Sequence, residues 1–116
     1  MFDQLFFRDA LTRQLSAPLT DERRQYLAHC AAQGMSRPTL RTKARLLLSI
    51  AKYLSLRRRP NHAISLSEIK RAARRWSYRK WPSAKARHAK ESRQYFVREA
   101  SRWLTFLNRL KTVSNQ

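Results

Sequence analysis

The side chains of this chain that could do chemistry are its cations, and their spacing says what chemistry that is. Lysine and arginine number 26 against seven acids, and 19 of the 26 are arginine. Lys70 and Arg74, Arg71 and Arg75, and Arg41 and Arg45 each stand four residues apart. On a helix such partners are neighbours, and a like-charged pair costs roughly 0.2–0.5 kcal/mol. A solvated face normally mixes signs and avoids that cost. Arginine also presents a planar fork of donors that matches phosphate oxygens. The pattern points to capture of a polyanion by charge rather than to the making or breaking of bonds.

The charge is one-sided along the chain. Residues 1–35 hold four bases and four acids, so the whole formal charge of +19 arises over residues 36–116. That stretch has 22 bases and only Glu68, Glu91 and Glu99 to oppose them. Such a density destabilises a compact state by self-repulsion unless a polyanion accepts it.

The elements that must position these cations are helical. Leucine (15) and alanine (14) dominate the apolar set, valine and isoleucine total five, and there is one glycine. This composition favours an all-α fold. Five helical segments are predicted. The first, about residues 2–15, carries Phe2, Leu5, Phe6, Ala10, Leu11 and Leu15 at helical spacing and reads as an accessory helix that docks weakly. The second runs from about Asp21 to Gln33, with Thr20 as its cap, Tyr26, Leu27, Cys30 and Ala31 buried, and Gly34 closing it in a left-handed conformation. The third starts at Ser36, tolerates Pro38 in its first turn, and continues to about Leu56 on a seam of Leu40, Ala44, Leu47, Ala51 and Leu54. A basic loop, Arg57–Asn61, follows. Ser67 is expected to cap a fourth helix, about Glu68 to Tyr78, with Ile69, Ala72, Ala73 and Trp76 inward. Pro82 breaks the chain before a fifth helix, from about Ala84 or Ala89 to Leu110, on a seam of Phe96, Ala100, Trp103, Leu107 and Leu110.

Advancing about 100° per residue from Leu40 places Arg41, Lys52 and Arg45 together on one flank of the third helix. On the fourth, counted from Ile69, Lys70, Arg74, Arg71 and Arg75 span about 100° to 240°, opposite the apolar side. Ser36, Arg37 and Thr39 cluster at a helix start, where unpaired backbone N–H groups, hydroxyls and a guanidinium suit a phosphate. The expected contacts are Ser36, Arg37, Thr39, Arg41, Thr42, Lys43, Arg45, Lys52, Lys70, Arg71, Arg74, Arg75, Lys85, Arg87, Lys90 and Arg93, the last four tracking a backbone from the start of the fifth helix. Trp76, Tyr78 and Trp81 lie among Arg74, Arg75, Arg79 and Lys80, an interleaving that suits stacking on unpaired bases. Trp76 falls on the apolar side and is expected in the core.

Other chemistries find no support in the residues. His29, His62 and His88 have no metal-ligand spacing, no glycine-rich phosphate loop is present, and the acids are too few to hold catalytic Mg²⁺. No cofactor and no catalytic residues are expected. Cys30 stands alone, which excludes a disulfide framework within the chain and reads as a small buried residue. The sequence has neither a signal peptide nor a membrane-spanning run, so a cytoplasmic, nucleoid-associated protein without a membrane partner is expected.

The order of features resembles the N-terminal core-binding, SAM-like domain of the tyrosine recombinases, the phage integrase family. Three stretches carry the likeness. Tyr26-Leu27 leads through Gly34-Met35-Ser36 to Thr39-Leu40, as in the family's "Ser-x-x-Thr-Leu" helix start. Leu47, Ile50 and Tyr53-Leu54 are followed by Ile64 and Ile69. Arg102-Trp103-Leu104-Thr105-Phe106-Leu107 ends in Leu110, with Asn108 where relatives often have glycine. The resemblance covers about residues 20–110. It implies a compact bundle of four to five helices that closes over one face of duplex DNA. Residues 1–16 fall outside the resemblance and are read as an accessory helix; the resemblance further implies a DNA-binding domain over 17–110 and a tail at 111–116 leading to a catalytic domain not contained here. The implied partners are double-stranded DNA, that catalytic domain, and neighbouring protomers on DNA, in a bacterial or phage setting. The alternative is a stand-alone basic RNA-binding protein; a basic adaptor for an acidic protein or membrane surface is a third.

Overall fold

The computed structural model describes residues 1–59, 62–80 and 86–111, with the backbone alone for Lys80 and residues 86–88. Among the described residues it forms six α-helices: α1 (Phe2–Leu5), α2 (Arg8–Ser16), α3 (Thr20–Ala32), α4 (Arg37–Tyr53), α5 (Leu66–Lys80) and α6 (Ala86–Phe106). A short 3-10 turn, Leu56–Arg58, follows α4. The expected all-α bundle is thus present, with the first expected helix divided in two. No helix among the described residues is long and apolar enough to cross a membrane. The expected break at Pro82, together with Trp81, Lys85 and residues 112–116, lies outside the described residues, as do the side chains of Arg87 and His88.

The division of the first helix corrects the picture of a weakly docked arm. Phe6 and Phe7 adopt extended backbone angles between α1 and α2. The interruption lets Phe2, Leu5 and Phe6 enter the core, while Phe7 remains 82% exposed. Burial of three large apolar side chains outweighs the local continuity of one helix; each contributes roughly 1.5–3 kcal/mol relative to an exposed state. α2 then ends at Ser16, because Ala17, before Pro18, is driven to extended angles.

α4 is the central helix and packs against α1, α3, α5 and α6, while α5 and α6 pair along their length. Its whole predicted seam, Leu40, Ala44, Leu47, Ala51 and Leu54, is buried. Leu46 and Ile50 widen that seam. On α5, Ile69, Ala72 and Ala73 are buried as expected; on α6, Phe96, Ala100, Trp103 and Leu104 are. Trp76 is half-buried, its ring 5.2 Å from that of Phe96.

The helix ends follow capping chemistry, in two places by residues other than those expected. Ser36 caps α4 by accepting from the Thr39 N–H, as predicted. For α5 the cap is Ser65 rather than Ser67: its Oγ accepts from the Glu68 N–H at 3.2 Å and faces the Glu68 carboxylate. This is a Ser-x-x-Glu box, and it begins the helix two residues earlier. Thr20 is the first residue of α3, not its cap; its hydroxyl donates back to Ala17 O, and Leu19 precedes it at φ 60°. Gly34 closes α3 at φ +92°, with its N–H bonded to Ala31 O and the Met35 N–H to Cys30 O. Asn108 closes α6 in the same way at φ 59°, with the Arg109 N–H on Leu104 O. Asparagine tolerates this left-handed angle better than other non-glycine residues, so the position keeps the geometry glycine would supply.

The loop before α5 and the segment leaving α6 are joined by an isolated β-bridge between Ile64 and Leu110. Ile64 N–H donates to Arg109 O and Lys111 N–H donates to Ile64 O, both at 2.8 Å. The Arg109 guanidinium donates to the carbonyls of His62 and Arg59. Arg59 in turn pairs with Glu68 at 2.7 Å and donates to Leu54 O. The basic loop after α4 is therefore partly committed inside the protein, and Pro60 and Asn61 lie outside the described residues.

Candidate nucleic-acid interface

Position on a helix decides which cations face outward. Arg41, Arg45 and Lys52 are exposed along one flank of α4, as are Lys70, Arg71, Arg74 and Arg75 on α5. Two of the α4 cations also brace rings: the Arg45 guanidinium stands 5.7 Å from the Phe6 ring centre, and Lys52 Nζ is 5.7 Å from that of Tyr53.

Lys43 corrects the list of expected contacts. Counted from Leu40 it falls at about 300°, inside the buried arc of α4. Its side chain is 5% exposed, and Nζ donates to Glu99 Oε1 at 2.5 Å. Glu99, on α6, also accepts from the Tyr26 hydroxyl at 3.2 Å and lies 3.6 Å from Arg102. Lys43 thus joins α4 to α6 and α3 and has no free charge to offer a partner. Burial first, and the Glu99 charge next, push the Tyr26 hydroxyl far above its usual range. Burial likewise raises the Cys30 thiol, consistent with the expected packing role.

A second buried cation, Arg23, escapes a reading by residue type. It is fully buried and donates to Gln14 Oε1, Gln14 O, Ala17 O and Pro18 O, so it binds α3 to the end of α2. Its guanidinium also stands 5.0 Å from the Phe2 ring centre. Burial, then repulsion from Arg24, lowers its pKa to about 10, which leaves it charged at neutral pH.

The remaining expected contacts fall into separate groups. At the start of α4, Ser36, Arg37, Thr39 and Arg41 are all exposed. The Ser36 hydroxyl donates to Thr39 Oγ1 and that of Thr42 donates to Pro38 O, which leaves the Thr39 hydroxyl proton to reach outward. Thr42 and Arg45 line a cleft with Trp76 and Tyr95 between α4, α5 and α6. Arg71 and Arg75 border a hollow with Arg59 and Glu68 by the end of α4, where Arg75 donates to Tyr53 O at 2.7 Å.

Lys70, Arg74, Lys90 and Arg93 come together in a groove of about 560 Å³ between α5 and α6. Arg98, Gln94 and Tyr78 complete its rim, and Ala73 and Val97 form its apolar floor. Among the described residues, five cations therefore surround this groove and no acid lines it. Two unit charges about 10 Å apart repel by about 0.4 kcal/mol even in water, so the arrangement favours an anionic occupant. Arg98 and Gln94 were absent from the expected contacts. Their signal was legible: Lys90, Arg93, Gln94, Val97 and Arg98 follow the three-and-four spacing of one helix face.

No protein-family model matches this chain, and neither does any curated protein or any solved structure.

Proposed function

We propose that this chain binds duplex DNA through the exposed cations of α4, α5 and α6, as the core-binding domain of a site-specific tyrosine recombinase. One observation carries the DNA-binding part. Two of the three acids in the basic region are spent on cations within the fold, Glu99 on Lys43 and Glu68 on Arg59, while Arg41, Arg45, Lys70 and Arg74 stay exposed. The recombinase part rests on the resemblance over residues 20–110. Under it, a catalytic domain grips the opposite face of the DNA, and neighbouring protomers assemble on the same duplex.

Fluorescence anisotropy with a labelled duplex tests the binding. Six to ten phosphate contacts would cost about 10³–10⁵ in affinity between 50 and 200 mM salt. Binding that ignores salt overturns the proposal. Hydroxyl-radical footprinting tests the mode: closing over one face gives protection that recurs about once per helical turn, roughly every 10 bp. Uniform protection around the helix argues against the recombinase geometry.

An RNA-binding protein is the second reading, favoured by Tyr78, which is 67% exposed among cations. Competition between duplex DNA and single-stranded RNA of equal charge separates the two. Preference for the RNA favours this second reading.

A further inference from the structure

The groove between α5 and α6 differs from the other basic surfaces in kind. The hollow that holds Arg71 and Arg75 includes Glu68, and the cleft that holds Arg45 carries a single cation. The α5–α6 groove gathers Lys70, Arg74, Lys90, Arg93 and Arg98 around Tyr78 and Gln94, over a floor of Ala73 and Val97. A rigid duplex exposes phosphates but keeps its base faces stacked inside. It would use the cations of this groove and leave the tyrosine ring and the apolar floor idle. An unpaired nucleotide uses all three: phosphate on the cations, base face on the ring, and base edge within reach of an amide that both donates and accepts. At about 560 Å³ the groove has room for one or two nucleotides rather than a helix.

We propose that this groove seats an unpaired nucleotide of a DNA strand, with Tyr78 as the stacking platform and Lys70, Arg74, Lys90, Arg93 and Arg98 holding the flanking phosphates. The inference rests on the DNA-binding reading above and gives it a preference: a duplex interrupted by a short single-stranded gap is bound more tightly than the intact duplex. Tyr78 is exposed and near the end of α5, so its replacement leaves the core untouched.

The test measures the affinity of the full chain for an intact duplex, the same duplex with a short gap, and the gap strand alone, for the native protein, Tyr78→Ala and Tyr78→Phe. Tighter binding to the gapped duplex is expected. Tyr78→Ala should reduce that affinity about 5- to 150-fold, as loss of one stacked base implies, and Tyr78→Phe should preserve it. Intact-duplex affinity should change little in both variants. Equal binding of gapped and intact duplex overturns the groove assignment and leaves the duplex reading standing. Tyr78-dependent binding of the single strand without binding of the intact duplex does the reverse. A loss on the gapped duplex that is equally large on the intact one also overturns the assignment, because Tyr78 would then serve the duplex and not an unpaired base.

Discussion

The buried Lys43–Glu99 pair yields the sharpest prediction about this fold. Both side chains are at most 5% exposed, and the 2.5 Å contact joins helices α4 and α6. Removing one partner leaves the other charge without water, at about 3–5 kcal/mol for a buried pair. Lys43→Met is expected near the lower end, because Tyr26 still donates to Glu99 and Arg102 stands 3.6 Å away. Glu99→Leu strands the lysine ammonium and should cost a similar amount. The double variant Lys43→Met/Glu99→Leu removes both desolvation penalties and fills the space with apolar atoms. It should lie within about 1–2 kcal/mol of the native protein, or above it, because a buried pair often contributes less than a hydrophobic replacement. Urea unfolding of the four proteins, with slopes compared, gives the coupling energy directly. Additive losses, in which the double variant is as unstable as the two singles together, would refute the reasoning. So would a Lys43→Met variant that stays fully stable but loses DNA affinity, since Lys43 would then face the partner.

The exposed cations behave oppositely: Arg41→Ala and Arg74→Ala should each weaken duplex binding and reduce its salt slope by about one, with helicity by circular dichroism unchanged. Loss of helicity in either would show that these side chains support the fold. Trp103 is fully buried, so Trp103→Ala should cost about 3–5 kcal/mol in urea unfolding; a variant as stable as the native chain would contradict the packing. Glu68 titrates below the ordinary carboxylate value: burial raises it, but the hydrogen bond and charge of Arg59, with the contact from Ser65, outweigh that. A lowered native value means stability that is present above pH 4.5 and lost as pH falls through the lowered one. Glu68→Gln should therefore flatten the acid limb of a stability–pH profile, and an unchanged limb would speak against the Arg59 pairing.

The reach of the sequence differed between the frame and the polar interior. The seam of α4, the closure at Gly34 and the inward sides of α5 and α6 were legible because periodicity and capping are local rules. The break at Phe6–Phe7 was not, since both a straight and a broken helix keep the same apolar spacing. Only the docking of Phe2, Leu5 and Phe6 on the rest of the core distinguishes them. Lys43 departs from expectation for a different reason. Its charge speaks for the surface and its angle for the core. The angle was the better guide, because a buried lysine needs only one well-placed acid, and Glu99 lies 56 residues away in sequence. Arg23 hides in the same manner, among acceptors that are mostly backbone carbonyls and carry no sequence signal.

Glu99 and Glu68 show how so basic a chain can fold. In the basic region, Glu99 and Glu68 are not spread over the surface to dilute its charge. Each sits where two or more segments meet, Glu99 between α3, α4 and α6 and Glu68 beside Arg59 at the α4–α5 turn. Their charges therefore act at short range on the cations the fold must enclose, where the effective dielectric is low and the attraction strongest. The outward cations are left to solvent, salt or a partner, and at the α5–α6 groove five of them are held together against their mutual repulsion. Helix packing fixes that spacing, since α5 and α6 are the most extensively paired elements. Neutralisation inside and concentration outside are thus two results of one packing arrangement, and a polyanion that enters the groove relieves repulsion the fold itself imposes.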